Sequence, residues 1–205
     1  MKIVQIAGYL GSGKTTLIIA LSRQVAEAGM KVAILVNDVG TVPVDGKVIE
    51  EYGLTVKDIG GGCICCQVAG TMMKTLETLA KGSKPDVIII EPTGIAVPES
   101  IRQTVMLNAG KTGAVLGPTI VLFDTTRTEK LLMYETLKRL VSTQIKDADI
   151  VALSKVDLSL VAAADQAEKA VRELNQTAEI IRLSTVTGEG LSALADRIRE
   201  VTVQT

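Results

Sequence analysis

The sequence predicts an α/β fold of three layers, in which helices cover both faces of a doubly wound, mostly parallel β-sheet. Short runs rich in Val and Ile alternate with longer amphipathic stretches, which is typical of repeated strand–helix–strand units. Apolar residues make up 47% of the composition and aromatic residues only 2%, so the core must be aliphatic, as in a sheet buried on both faces. The length of 205 residues suits one compact core, and we expect a single domain over residues 1–205.

Seven short runs are predicted to be the strands of this sheet, because each is rich in β-branched residues and is bounded by turn residues. They cover residues 2–7, 31–36, 55–59, 87–90, 119–123, 149–153 and 178–183. The run at 87–90 is apolar throughout, which is expected of a strand that is buried on both faces.

Amphipathic stretches between these strands are predicted to be helices, at residues 14–29, 67–81, 98–108, 129–145, 158–175 and 191–201. In the second of them Met72 and Leu76 lie on one face, and Gly82 stops the helix. Pro98 suits the first turn of the third helix, because its missing N–H is not needed there. The glycine-rich segment 108–117 is predicted to be a mobile loop.

Charge and composition exclude several classes of protein. The 22 Lys+Arg residues balance 23 Asp+Glu residues, which leaves no basic surface for nucleic acid or for an anionic membrane. The apolar runs are too short to span a bilayer, and the first residues are typical of a strand rather than a signal peptide. The three cysteines are an odd number and argue against a disulfide framework. We therefore expect a cytoplasmic protein whose partners include neither nucleic acid nor a membrane.

The first predicted strand runs into a glycine-rich turn, GYLGSGKT at residues 8–15, which matches the pattern G-x-x-x-x-G-K-[ST] of a phosphate-binding loop. Glycines allow successive backbone N–H groups to point at phosphate oxygens, and the positive end of the next helix faces the same anion. Lys14 would neutralise the β- and γ-phosphates as a catalytic residue, and the Thr15 hydroxyl would ligate Mg²⁺. The residues predicted to bind nucleotide here are Gly11, Ser12, Gly13, Lys14, Thr15 and Thr16.

Two later elements indicate which base is bound. SKVD at residues 154–157 and STVTG at 184–188 each follow a predicted strand, and they are similar to the N-K-x-D and S-A-x-x-G elements of GTPases. An Asp at the last position of the first element can accept hydrogen bonds from N1–H and N2–H₂ of guanine, which adenine does not offer. Ser stands where GTPases have Asn, and we expect this shorter side chain to weaken the brace on the loop. The residues predicted to bind guanine are Ser154, Lys155, Asp157, Ser184 and Thr185.

Two acidic residues follow predicted strands at the edge where ligands bind in open parallel sheets. Glu91 ends the apolar strand 87–90, and Asp38 follows the second strand. Both are expected to be catalytic and to hold Mg²⁺ together with Thr15, Glu91 either through water or by orienting the attacking water. Gly94 would place its backbone N–H near the γ-phosphate.

All the cysteines of the chain, Cys63, Cys65 and Cys66, lie in one glycine-rich segment. The helix predicted from residue 67 would favour their thiolate form, and soft thiolates suit Zn²⁺, Cu(I) or, together with other ligands, Co²⁺ and Ni²⁺. One chain supplies only three thiolates, so the fourth ligand would be a carboxylate, water, a second protomer or a client. We infer an open site that is suited to metal transfer. Two alternatives are three small buried apolar residues and a thiol redox sensor.

The order of these motifs, together with Gln144 before Ala148-Asp149, resembles the CobW/HypB/UreG family of P-loop GTPases. GCICC at residues 62–66 is similar to the CobW-like branch, and the resemblance covers nearly the whole chain. It implies a GTPase domain of the SIMIBI type, with GTP or GDP and Mg²⁺ as ligands. It also implies slow hydrolysis coupled to delivery of Zn²⁺, Co²⁺ or Ni²⁺ to a client metalloprotein, in metalloenzyme or cobalamin maturation. Nucleotide-dependent homodimerisation is implied as well.

The sequence departs from this family at two points, and other functions stay open. Pro92 stands where the family usually has a small hydroxyl residue, and the further C-terminal domain of longer CobW-like proteins is not among these residues. One alternative is a P-loop ATPase or kinase. Another is a nucleotide-dependent regulatory adaptor for a corrinoid or metalloenzyme system. Our mechanistic hypothesis is that GTP with Mg²⁺ orders Asp38 and the cysteine segment, and that hydrolysis releases the metal.

Overall fold

The computed structural model describes residues 1–36, 55–58 and 67–200. Within these ranges, seven strands form one sheet in the order β3-β2-β4-β1-β5-β6-β7, and all neighbouring strands are parallel. The strands are β1 (Lys2–Gly8), β2 (Val32–Val36), β3 (Thr55–Asp58), β4 (Val87–Glu91), β5 (Val115–Asp124), β6 (Ile150–Ser154) and β7 (Glu179–Leu183). The predicted doubly wound α/β sheet is confirmed.

Helices cover both faces of this sheet. They are α1 (Lys14–Glu27), α2 (Gln67–Lys81), α3 (Pro98–Thr112), α4 (Thr128–Met133), α5 (Glu135–Lys146), α6 (Val161–Leu174) and α7 (Leu191–Arg199). On one face, Leu21 of α1 and Leu194 of α7 pack against Val4 and Ile89 of the sheet. On the other face α2 and α3 cover β1, β2 and β4, while α5 and α6 cover β5 and β6.

Alternating side chains explain why β4 is apolar from Val87 to Ile90. In β4, Ile89 belongs to the core under α1, whereas Ile88 and Ile90 belong to the core under α2 and α3. All three are fully buried. Because helices cover both faces of this strand, apolar side chains are favoured on both of them.

The prediction of a mobile loop over residues 108–117 is wrong. Helix α3 continues to Thr112, ends at Gly113 with a left-handed φ of 63°, and β5 begins at Val115. Two buried polar side chains stabilise this last turn: Asn108 donates to Thr104 O at 2.7 Å and Thr112 donates to Asn108 O at 3.0 Å. The glycine-rich segment therefore forms the end of a helix, a turn at Gly113 and the start of a strand rather than a loop.

Two predicted helices have different limits in the structure. The stretch 129–145 is two helices, separated by Tyr134, which is extended (φ −85°, ψ 122°) and whose carbonyl accepts from Lys138 N. The stretch 158–175 becomes helical only at Val161, because a short 3₁₀ turn, Val156–Leu158, precedes it. No helix in the part of the chain that the structure describes is both long and apolar enough to cross a membrane.

Candidate functional site

The glycine-rich turn lies between β1 and α1, at the central strand of the sheet. Gly8 passes so close to β5 that a Cβ there would lie 2.6 Å from Leu122 O. Gly13 is the N-cap of α1 with φ 97°, and α1 has neither a side-chain cap nor an acidic residue in its first turn. The first N–H groups of α1 are therefore open to an anion, as a phosphate-binding loop requires.

Three predicted phosphate and Mg²⁺ residues meet beside this loop. Thr15 Oγ1 donates to Glu91 Oε1 at 2.9 Å and lies 3.2 Å from Oε2. Burial lowers the pKa of Lys14, opposed by the nearby Glu91 charge. Burial also raises the pKa of Glu91, opposed by the Thr15 hydrogen bond and by Lys14. Both charged groups are partly shielded from water. Each therefore acts more strongly on a bound anion or cation than it would in solvent.

Thr15 and Glu91 fit a bound Mg²⁺. A hydroxyl and a carboxylate are the hard oxygen donors that this ion prefers, and Mg²⁺ keeps most of its other positions for water and phosphate. The third predicted ligand, Asp38, lies outside the described residues.

Ser154 and Lys155 join the end of β6 to the glycine-rich turn. Ser154 Oγ donates to Ser12 O at 2.9 Å, and Lys155 Nζ donates to Gly11 O at 2.8 Å. We expected the shorter side chain of Ser154 to brace the loop weakly, yet it reaches the backbone directly because β6 ends beside the turn. Lys155 has a left-handed backbone (φ 61°, ψ 36°), a conformation that is uncommon outside glycine and typical of functional loops.

A cavity of about 250 Å³ lies between the glycine-rich turn and the two predicted base loops. The predicted residues that line it are Ser12, Gly13, Thr16, Ser154, Lys155, Asp157 and Thr185. Leu158 and Val186 add apolar walls, although these residues are 72% and 83% exposed. Such a cavity, apolar at the walls with a few polar groups, suits a planar base.

Ser184 has a structural role beside this cavity. It is buried, and its Oγ accepts from Val186 N at 3.2 Å and from Thr187 N at 3.1 Å. The hydroxyl therefore shapes the loop that presents Thr185 to the cavity.

Gly94 packs against the glycine-rich turn. A Cβ at Gly94 would lie 2.8 Å from Leu10 N, so only glycine allows this approach. Gln144, which is buried in α5, holds the same segment by donating to Gly94 O at 3.1 Å and to Ala96 O at 2.9 Å. The sequence identifies Gln144 as one of the residues that resemble the family, but it does not predict the contact with Gly94.

Sequence reasoning missed two charged residues behind the glycine-rich turn. Asp124 ends β5, its side chain is fully buried, and it forms ion pairs with Arg127 and Lys155, each at 2.8 Å. Arg127 Nη2 also donates to Leu10 O at 3.0 Å. Asp124 could have been found by the criterion that found Glu91, because it too is an acidic residue at the end of an apolar strand.

The predicted transition-metal ligands Cys63, Cys65 and Cys66 lie outside the described residues, like Asp38. Within the ranges that the structure does describe, no group of three His, Cys, Asp or Glu residues could hold a metal. The neighbouring strands are informative: Val36 of β2 pairs with Asp58 of β3 on one side and with Glu91 of β4 on the other. In the sequence, β2 precedes Asp38 and β3 precedes the three cysteines. Both of these strands therefore end level with Glu91.

Comparison with known proteins agrees with this geometry. The family model for the CobW/HypB/UreG nucleotide-binding domain matches residues 2–182. The zinc chaperone YeiR of Escherichia coli is 35% identical over 154 residues, which make up 74% of this chain and 45% of that protein.

Two solved structures share the fold. The hydrogenase maturation factor HypB from Archaeoglobus fulgidus has a TM-score of 0.69 at 21% identity, over 97% of this chain and 89% of that one. The Zn(II)-bound YjiA GTPase from E. coli has a TM-score of 0.66 at 23% identity, over 88% of this chain and 56% of that one.

The family assignment rests on the match to the family model, because structural similarity at these sequence identities shows the fold alone. The chain spans about half the length of the curated relatives that it matches. The matched region runs from β1 through the phosphate-binding turn and the Lys155 loop into β7. This chain belongs to the CobW/HypB/UreG family of P-loop GTPases.

Proposed function

We propose that this chain binds GTP and GDP, hydrolyses GTP slowly, and uses the nucleotide to control the binding and delivery of Zn²⁺ or Co²⁺, with Ni²⁺ as a further candidate. The observation that carries the proposal is the pair of contacts from Ser154 to Ser12 O and from Lys155 to Gly11 O. They join a base loop to a phosphate loop around one cavity, which Asp157 lines.

Guanine selectivity would come from Asp157. An ionised carboxylate is only an acceptor, so it pairs with the two adjacent donors of guanine and leaves adenine without a match. The aliphatic stem of Lys155 would lie along one face of the base. The base itself would lie between Leu158 and Val186 and would cover their exposed apolar surfaces. The backbone N–H groups of the Ser184–Thr185 loop would complete the base site.

Slow hydrolysis would depend on Lys14, Thr15 and Glu91. Lys14 would bind the β- and γ-phosphates, and its burial beside Glu91 leaves little water to screen that charge. Glu91 would accept a hydrogen bond from the attacking water or hold the water that ligates Mg²⁺. When bound, Mg²⁺ neutralises charge on the phosphate oxygens. Gly94 would set the backbone N–H that faces the γ-phosphate, with Gln144 holding its carbonyl from behind. Asp38 is proposed to complete this set.

The metal is proposed to be cargo, bound by Cys63, Cys65 and Cys66. Similarity to zinc proteins supports zinc as the cargo: the relatives YeiR and YjiA are named zinc chaperones. Support from this chain comes from β2, β3 and β4, which end side by side at Val36, Asp58 and Glu91. A nucleotide that changes the segment after β2 would therefore act close to the start of the cysteine segment. We propose a client metalloprotein as acceptor, a nucleotide-dependent homodimer as the active form, and the cytoplasm as the compartment that keeps the thiols reduced.

Competition binding tests the nucleotide half of this proposal. Purified protein should bind GDP with Mg²⁺ and should not bind ADP. Asp157→Asn should lose GDP affinity and gain affinity for xanthosine diphosphate, because the Asn amide can donate to the second carbonyl of xanthine. Tight ADP binding with no response to Asp157→Asn would instead support a P-loop ATPase or kinase.

Turnover and metal content test the other half. Cys63→Ser/Cys65→Ser/Cys66→Ser should lose Zn²⁺ and Co²⁺ binding under anaerobic conditions and should keep GDP binding. GTP turnover should rise when metal or client is added to the wild type. Nucleotide binding without turnover in either condition would favour the regulatory adaptor.

A further inference from the structure

The two carboxylate oxygens of Asp124 accept hydrogen bonds from different groups. Oδ1 accepts from Thr126 N at 3.0 Å and from Thr126 Oγ1 at 2.6 Å, which caps the turn that follows β5. Oδ2 accepts from Lys155 Nζ and from Arg127 Nε, both at 2.8 Å. One buried oxygen thus holds two cations that come from different segments of the chain.

Each of these cations reaches onward to the phosphate-binding turn. Lys155 Nζ donates to Gly11 O at 2.8 Å, and Arg127 Nη2 donates to Leu10 O at 3.0 Å. Because the C=O and N–H of one planar peptide point in opposite directions, holding these carbonyls also fixes the N–H groups of Gly11 and Ser12. Asp124 therefore helps to fix the orientation of two successive peptides in the turn, although it acts only through Lys155 and Arg127.

Lys155 needs such a partner more than an ordinary surface lysine does. Its backbone is left-handed, which costs energy for a residue with a side chain, and its ammonium reaches back behind the turn. The contact with Asp124 Oδ2 offsets part of this cost, because a hydrogen bond between two charged groups is stronger than one between neutral groups. Asp124 itself lies away from the base cavity: it lines a smaller cavity behind the turn, together with Arg127.

We propose that Asp124 is a positioning residue for nucleotide binding. It holds Lys155 and Arg127 against the carbonyls of Gly11 and Leu10, so that the base loop and the phosphate loop are aligned before a nucleotide enters. The idea rests on the proposed guanine-nucleotide site and adds to it a residue that acts through Lys155 and Arg127. Preorganisation of this kind raises affinity by reducing the ordering that binding requires.

Asp124→Asn removes one of the two acceptor oxygens and keeps the other. The Asn carbonyl can still accept from Thr126, whereas an amide NH₂ in place of Oδ2 can accept from neither cation. We expect the dissociation constant for GDP to rise about tenfold. The matched control is Asp165→Asn, which removes an exposed ion pair with Arg182 outside the site and should leave GDP affinity unchanged.

A mutant cycle distinguishes positioning from general loss of structure. In a Lys155→Met/Arg127→Met background, Asp124→Asn should have less than about a twofold effect on GDP affinity, because Asp124 then has no cation to hold. An equal loss of affinity in both backgrounds would overturn the proposal. If Asp124→Asn does not fold, Arg127→Met decides: we expect about a threefold loss of GDP affinity with rescue by Arg127→Lys, and no loss would overturn the proposal.

The wild-type control keeps this inference separate from the proposed function. Absence of GDP binding by the wild type would overturn the guanine-nucleotide site itself. Tight binding by the wild type and equally tight binding by folded Asp124→Asn would overturn only the positioning role.

Discussion

Ser154 Oγ lies 2.9 Å from Ser12 O and donates a hydrogen bond to it, which joins β6 to the phosphate-binding turn. Both residues are buried. The Ser154 hydroxyl thus braces the turn at the position where the N-K-x-D pattern has Asn.

Replacing this hydroxyl tests its contribution. Ser154→Ala should weaken GDP binding by about 1 kcal/mol, roughly fivefold in the dissociation constant, because one buried carbonyl loses its donor. Titration calorimetry measures the change. Ser100→Ala is the matched control, since its hydroxyl bonds to Val97 O on the exposed start of α3. Equal GDP affinity in the Ser154 variant and the wild type would show that the brace does not matter for binding.

Gly94 should tolerate no side chain. In Gly94→Ala the new Cβ would meet Leu10 N at 2.8 Å, so the segment after Glu91 must move away from the turn. We expect GTP turnover to fall at least about tenfold, with GDP affinity less affected, because Gly94 is proposed to face the γ-phosphate. Gly110→Ala is the control: no neighbour lies within 4 Å of its Cβ, and it should gain about 0.5–1 kcal/mol in stability. Normal turnover in Gly94→Ala would contradict the assigned position.

Gln144 should support the same segment from the opposite side. Gln144→Met keeps the approximate volume but leaves the carbonyls of Gly94 and Ala96 without their donor. The free energy of unfolding should fall by about 1–3 kcal/mol, and GTP turnover should fall as well. Urea denaturation and a phosphate-release assay measure the two effects. Gln103→Met, on the exposed face of α3, should change neither.

Stability should depend on pH through Asp124. Burial raises the pKa of this carboxyl, but hydrogen bonds from Lys155 and Thr126, with the charge of Arg127, outweigh it and hold the pKa below the usual 3.8. The resulting stabilisation is fully present above pH 3.8 and is lost as the pH falls through the lower folded-state value. Urea denaturation from about pH 6 to about pH 3 should therefore show a steeper loss of stability in the wild type than in Asp124→Asn. Parallel pH profiles would count against the ionised carboxylate as the stabilising form.

Much of the fold could be predicted because strong local patterns coincide with tertiary burial. The apolar run of β4 and the glycine turn after β1 are such cases, since both faces of the strand are covered and the turn needs left-handed glycines. The break at Tyr134 could not be predicted, because no glycine or proline marks it. The contact of Asp124 with Lys155 and that of Gln144 with Gly94 join residues 31 and 50 positions apart, which no local spacing encodes.

The most direct test of the account compares metal affinity in the two nucleotide states. Zn²⁺ titrations are made anaerobically with the full chain, once with a non-hydrolysable GTP analogue and once with GDP, both with Mg²⁺. The account predicts that Zn²⁺ binds at least about tenfold more tightly in the triphosphate state and that the triple cysteine variant abolishes binding in both. Equal Zn²⁺ affinity in the two states would contradict the coupling, because a nucleotide without differential effect on the metal site cannot drive release.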